Sequence, residues 1–271
     1  MLPPIANLGY QTDCLIASLN GHVEPREGYT LVRTPNNPTF YWGNFLLFEN
    51  APDEAAYENW IQLFHKEFGK EIGHLTFGWI ADEPGNISAF LKNGFEEETS
   101  VILTLDTLKK PRPADLPHEI RKLKSDADWK VVVDLQILAS EEQETPTPGY
   151  REFKVRQFAN YRKAQEEGHG AWWGLFHKDQ LVCDMGLYFD QQRSIGRFQS
   201  VETHPDFRGQ GLCSNLLYQL ISDANRQNSL RHLVICTEND SAGHRVYQKL
   251  GFKLHSHMRG INLPRNLDDP T

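Results

Sequence analysis

Residues 201–217 read VETHPDFRGQGLCSNLL: a β-branched run, a proline, an arginine, two glycines, then leucines at helical spacing. A helix start ordinarily carries a capping side chain and good helix formers. Here Gly209 and Gly211 stand in that place. The first N–H groups of a helix have no intrahelical partner and carry a partial positive charge. Glycine lets a bulky anion approach them without meeting a Cβ. The N–H groups of Arg208, Gly209, Gln210, Gly211, Leu212, Cys213 and Ser214 can therefore converge on one anion. A pyrophosphate is the expected one at a strand–loop–helix junction, although a tight turn without a ligand would use the same glycines. Two phosphate loops are disfavoured by spacing. Ser214 holds the third-glycine position of G-x-G-x-x-G, and no G-K-[ST] follows.

Outward from this elbow, residues 118–123 predict a strand, 126–140 and 150–168 two helices, and 171–177 with 181–190 a hairpin turning at KDQ. Residues 194–203 predict the strand entering the elbow. Leu212, Leu216, Leu217, Leu220 and Ile221 form one helical stripe. A strand at 232–238, a helix at 241–250 stopped by Gly251, and a strand at 252–261 follow. The order reads as an α+β domain. Three prolines within 108–123 suggest a linker, so the expected domains are 1–111 and 112–271. AFLKNGFEEETSVILTL in the first half echoes RVYQKLGFKLHSHMRGI in the second at an offset of 157 residues. A degenerate tandem copy is the expectation. At that offset Pro52 and Glu54 replace Gly209 and Gly211, and Phe90 replaces Tyr247, so the first half should hold no cofactor.

The elbow, together with ENDSAGHRVYQKLGF at 238–252, resembles the two signatures of the GCN5-related N-acetyltransferases (GNAT). Asn239, Ala242, Tyr247, Gly251 and Phe252 stand in the family's order, while Asp206 replaces its preferred Gln or Arg. The resemblance implies a mixed, mostly antiparallel splayed sheet flanked by helices, with acetyl-CoA as co-substrate. Two neighbouring strands, 194–203 and 232–238, would diverge around the pantetheine arm. Val201 and Thr203 would offer it backbone groups, Arg208–Ser214 would cradle the pyrophosphate, and Asn239 would hold the far side. Tyr247 would face the sulfur.

Amine acetylation then needs an oxyanion donor, supplied by the backbone around Val201–Thr203, and an acid for the thiolate. Tyr247, protonated at neutral pH, fits the second role; packing under the sheet is its plainer role. Glu202, His204, Asp184 and Glu238 lie near strands flanking the expected cleft, and strand alternation makes Glu202 a reasonable candidate base. A solvated strand-face carboxylate is its plainer role, and the resemblance also allows a proton relay through water with no single base. Cys213 is expected on the phosphate side, away from the thioester, which favours direct attack in a ternary complex. The HSH run at 255–257 lacks the further ligands a metal needs. Glu141, Glu142 and Glu144 form an acidic stretch able to attract a cationic acceptor.

The 271 residues carry a net charge of −8, which argues against a general nucleic-acid binder. Neither a signal peptide nor a membrane span is read, and the four scattered cysteines form no disulfide framework. The expected protein is a cytoplasmic N-acetyltransferase acting on a small-molecule or peptide amine, with a homodimer open. A non-catalytic acyl-CoA sensor is the alternative.

Overall fold

A computed structural model describes residues 3–69, 72–141, 149–190, 192–227 and 232–264. The chain forms two compact units. The first comprises residues 1–102 and 256–271, the second 103–255. These limits differ from a break at 111/112: the proline-rich segment belongs wholly to the second unit, and the end of the chain returns to the first.

In chain order the elements are α1 (Leu8–Ser18), β1 (His22–Arg26), β2 (Tyr29–Arg33), β3 (Phe45–Phe48), α2 (Ala56–Phe68), β4 (Leu75–Trp79), α3 (Ser88–Lys92) and β5 (Glu96–Leu105). There follow β6 (Glu119–Lys122), α4 (Asp126–Glu141), α5 (Tyr150–Glu166), β7 (Gly170–His177), β8 (Gln180–Asp190) and β9 (Ile195–Thr203). The last four are α6 (Leu212–Gln227), β10 (His232–Thr237), α7 (Ala242–Leu250) and β11 (Phe252–Leu263). Strands β5 and β11 each cross a boundary between the units.

In the first unit the strand order is β1-β2-β3-β4-β11. Strands β3 and β4 are parallel and stay paired to their ends, with Phe48 opposite Trp79. The core beside them is aromatic. Phe48 stacks on Trp60 at 3.9 Å, and Phe77, Phe90 and Phe95 pack edge-on or stacked around it. Asn7 caps α1 and ties it to β11, its amide donating to the His257 carbonyl at 2.8 Å.

In the second unit the order is β10-β9-β8-β7-β6. Helices α4 and α5 cover one face, where Trp172 of β7 meets Phe158 and Tyr161 of α5. The next residue, Trp173, turns to the other face beside Leu220 and Ala224 of α6, as strand alternation requires. All five residues of the α6 stripe are buried. The hairpin turn places Lys178 and Asp179 at φ 48° and 65°, the left-handed pair that a two-residue connection demands, without a glycine. The run β8-β9-α6-β10-α7-β11 repeats the order of β2-β3-α2-β4-α3-β5, with the same antiparallel and parallel pairings at its start.

Helix α7 ends at Gly251, whose φ is +104°. A Cβ there would run into the Thr107 carbonyl. The segment before β6 braces this turn: the Asp106 N–H donates to the Gly251 carbonyl at 3.2 Å and the Lys109 N–H to that of Leu250 at 2.9 Å. Gly251→Ala is therefore expected to cost about 2–4 kcal/mol, combining left-handed strain with a backbone collision. Urea unfolding measures it, and a loss below about 0.5 kcal/mol would contradict the packing described.

Candidate active site

Strands β9 and β10 are parallel neighbours only briefly. Ile195, Gly196 and Arg197 pair with His232, Leu233 and Val234, and there the ladder stops. Residues 198–203 and 235–237 continue as strands without pairing to each other. Arg197 bridges the fork: its Nε donates to the Phe198 carbonyl at 3.0 Å and its Nη1 to Cys236 Sγ at 2.8 Å. The expected divergence is thus present, and the corresponding β3–β4 pair of the first unit lacks it.

Beyond the fork, β9 bulges. Asp184 of β8 lies opposite Glu202, but two residues on, Gly186 lies opposite Gln199, so β9 carries one residue in excess. Ser200 absorbs it at φ +44°. Val201 follows directly. Residues opposite one another in an antiparallel pair share a face, so Glu202 and Asp184 face α4 and α5. Thr203 and Cys183 face α6, with the Thr203 hydroxyl 3.4 Å from Cys183 Sγ. The Thr203 N–H donates to the Glu202 carboxylate at 2.9 Å, and its carbonyl accepts from Arg208 Nε at 3.2 Å.

The elbow follows a short 3-10 turn, Pro205–Phe207. Gly209 and Gly211 have φ +76° and +78°, and a Cβ on Gly209 would stand in open space. The carbonyls of Gly209, Gln210 and Gly211 are turned to protein. Arg112 Nη2 donates to the Gly209 carbonyl at 2.9 Å, the Asp115 N–H to Gln210 at 3.1 Å, and Asn215 Nδ2 to Gly211 at 2.9 Å. Among the described residues, the N–H groups from Gly209 to Ser214 have no acceptor. Arg208 differs. Its N–H donates to Pro205, and its guanidinium lies 3.6 Å from Glu202, so its side chain engages β9. The apparent linker, residues 112–115, holds the elbow open.

Tyr247 shares the buried face of α7 with His244 and Leu250. Its ring folds back toward Gly243. The hydroxyl bonds to no described residue and is not sealed from solvent. Burial raises its pKa well above 10, helped by Cys213, Cys183 and Glu202 nearby. Cys213 lies close enough to Cys183 and Tyr247 to raise the pKa of both. Asn239 is exposed at the end of β10, its amide on Asp240 at 3.0 Å. His204 accepts from the Asp206 N–H, and Glu238 is exposed. Glu142 and Glu144 lie outside the described residues, and Glu141 is described only as the end of α4. Among the described residues, no three His, Cys, Asp or Glu side chains converge as a metal site would need.

Under α4 and α5 lies a polar cluster without a local sequence signature. Asp184 is fully buried, with Oδ1 accepting from Trp172 Nε1 at 2.9 Å and Gln136 Nε2 at 3.1 Å, and Oδ2 without a partner. Burial pushes its pKa well up, and Glu202 adds to the rise. Burial likewise raises Glu202, against the Thr203 N–H, Arg208 and Lys154. Burial lowers Lys154 to about 8, opposed by Asp184 and Glu202.

Residues 135–252 match the acetyltransferase (GNAT) family model. A functionally unknown conserved protein from Staphylococcus epidermidis superposes with a TM-score of 0.72 at 12% identity, over 92% of this chain and 96% of that one. A GCN5-related N-acetyltransferase from Kribbella flavida gives 0.63 at 12% identity, over 96% and 97%. One from Sphaerobacter thermophilus gives 0.51 at 15%, over 87% and 80%. These three show the fold, a mixed open sheet flanked by helices in two GNAT-like units. No curated protein matches the chain.

The raised pKa of Asp184 has a stability signature. Protonated up to higher pH in the fold than in the unfolded chain, which ionises near pH 4, it stabilises fully at low pH, and that contribution is lost as pH rises. Asp184→Asn keeps both accepted bonds and cannot ionise. Its stability relative to wild type should increase steadily from pH 4 to 7.5 in thermal denaturation. A constant difference would mean that Asp184 is ionised in the fold.

Proposed function

We propose that the second unit is an acetyl-CoA-dependent N-acetyltransferase acting by direct attack in a ternary complex. The observation that carries this reading is the fork between β9 and β10 leading to an elbow whose N–H groups, from Gly209 to Ser214, lack acceptors. The pyrophosphate takes those N–H groups. The pantetheine arm runs along the free edge of β9 at Val201 and Thr203, with Asn239 at the opposite wall, and its amides exchange with the contact between Thr203 and Glu202. That exchange frees the Glu202 carboxylate for the amine.

The two proton-handling groups then lie on opposite faces of the sheet. Glu202, on the α4–α5 face, takes a proton from the acceptor nitrogen as it bonds to the thioester carbonyl carbon. The Val201 N–H stabilises the oxyanion. The carbon–sulfur bond breaks, and Tyr247, on the α6–α7 side, protonates the leaving thiolate; solvent restores its proton. Products are an amide and coenzyme A. Burial, which raises the pKa of Glu202, makes it a stronger base than an exposed carboxylate, and the raised pKa of Tyr247 keeps it protonated. The acceptor is a small-molecule or peptide amine rather than nucleic acid, met in a reducing, cytoplasmic setting by a monomer or a homodimer. Residues 1–111 act as a degenerate copy without a cofactor. Pro52 and Glu54 stand where the glycines would, Phe90 is buried in the aromatic core, and β3 and β4 do not part.

Incubation with acetyl-CoA and a mixed amine library, followed by mass spectrometry, should yield an acetylated product. Tyr247→Phe should lower its rate at least tenfold, about 1.4 kcal/mol of barrier, with acetyl-CoA affinity unchanged. Binding without any product would favour the acyl-CoA sensor instead.

A further inference from the structure

The bulge that aims Val201 is an unfavourable backbone state that the surroundings must enforce, since Ser200 lies in the left-handed region where a side chain is strained. One buried amide does the enforcing. Gln136 of α4, 6% exposed, places Nε2 3.0 Å from the Ser200 carbonyl and 3.1 Å from Asp184 Oδ1. It thereby joins the bulged strand to its partner across the irregular step. Its Oε1 receives Lys154 Nζ at 3.4 Å, and the same ammonium lies 3.3 Å from Gln157 Oε1. Trp172 fixes Asp184 from the far side. The cation at one end and the two acceptors at the other allow the Gln136 amide only one orientation.

We infer that Gln136 is a positioning residue for the transfer reaction: through the Ser200 carbonyl it holds the bulge that directs the Val201 N–H at the oxyanion. This rests on the proposed role of Val201, while the clamp itself is a property of the fold. Gln136 touches neither the elbow nor Tyr247, so its loss should spare the pyrophosphate contacts and weaken coenzyme A binding only through the pantetheine contacts at Val201 and Thr203. Lys154 acts one step behind it.

The test compares wild type, Gln136→Met, Lys154→Met and Gln157→Leu in the full chain. Coenzyme A binding is read by calorimetry, turnover with the best amine from the library, and amide hydrogen exchange over residues 199–203. Gln136→Met should lower kcat at least tenfold, raise the coenzyme A Kd by a clearly smaller factor, and speed exchange at 199–203 at least tenfold. Lys154→Met should show smaller changes of the same kind, and Gln157→Leu should show none. Equal exchange and equal kcat in Gln136→Met would overturn the inference. So would a parallel loss of coenzyme A affinity, or exchange accelerated throughout the unit. If wild type itself turns over no amine, the proposed activity fails separately, and exchange at 199–203 alone decides: local acceleration supports the clamp and its absence refutes it.

Discussion

Two parallel strands that stop pairing after Arg197 and Val234 are the constraint on which the second unit depends. Strand edges inside a fold expose backbone donors and acceptors whose burial without partners is costly. Protein groups meet part of that demand here. Arg197 reaches from one strand to the other at the fork, and Thr203 is covered by Glu202 and Arg208. The elbow's carbonyls are turned outward to Arg112, Asp115 and Asn215. What stays unmet is the set of N–H groups from Gly209 to Ser214, all donors, in a place where a helix start adds positive charge. Keeping one polarity unsatisfied and pairing the other is the arrangement on which the proposed anion site rests.

The first unit shows what the same order of elements does without that constraint. Its β3 and β4 stay zipped to their ends, and the space beside them is filled by Trp60, Phe77, Phe90 and Phe95. An aromatic core and an open cleft are alternative uses of one architecture. Phe90 illustrates the exchange: at the position that corresponds to Tyr247, it has no hydroxyl and no exposure.

Much of this was legible in the chain because it is written locally. The leucine stripe of α6, the Gly251 stop and the hairpin at KDQ each rest on neighbours a few residues apart, and the structure places them as read. The glycine elbow was legible too, because positive φ and close approach select glycine over other residues. Non-local features were not. Residues 112–115 carry the composition of a linker, yet they brace a loop nearly a hundred positions away. The bulge at Ser200 uses a residue with no special liking for left-handed backbone, so strand alternation alone could not reveal it. Gln136, Lys154 and Asp184 meet only once α4, α5 and β8 are packed.

The most direct test of the account is a calorimetric titration of acetyl-CoA onto the full chain, repeated with Gly209→Val and with Pro52→Gly. The account predicts one site per chain, lost when a side chain enters the open space at 209 and unchanged when the first unit's proline is removed. Two sites, or a site indifferent to Gly209→Val in a folded protein, would contradict it.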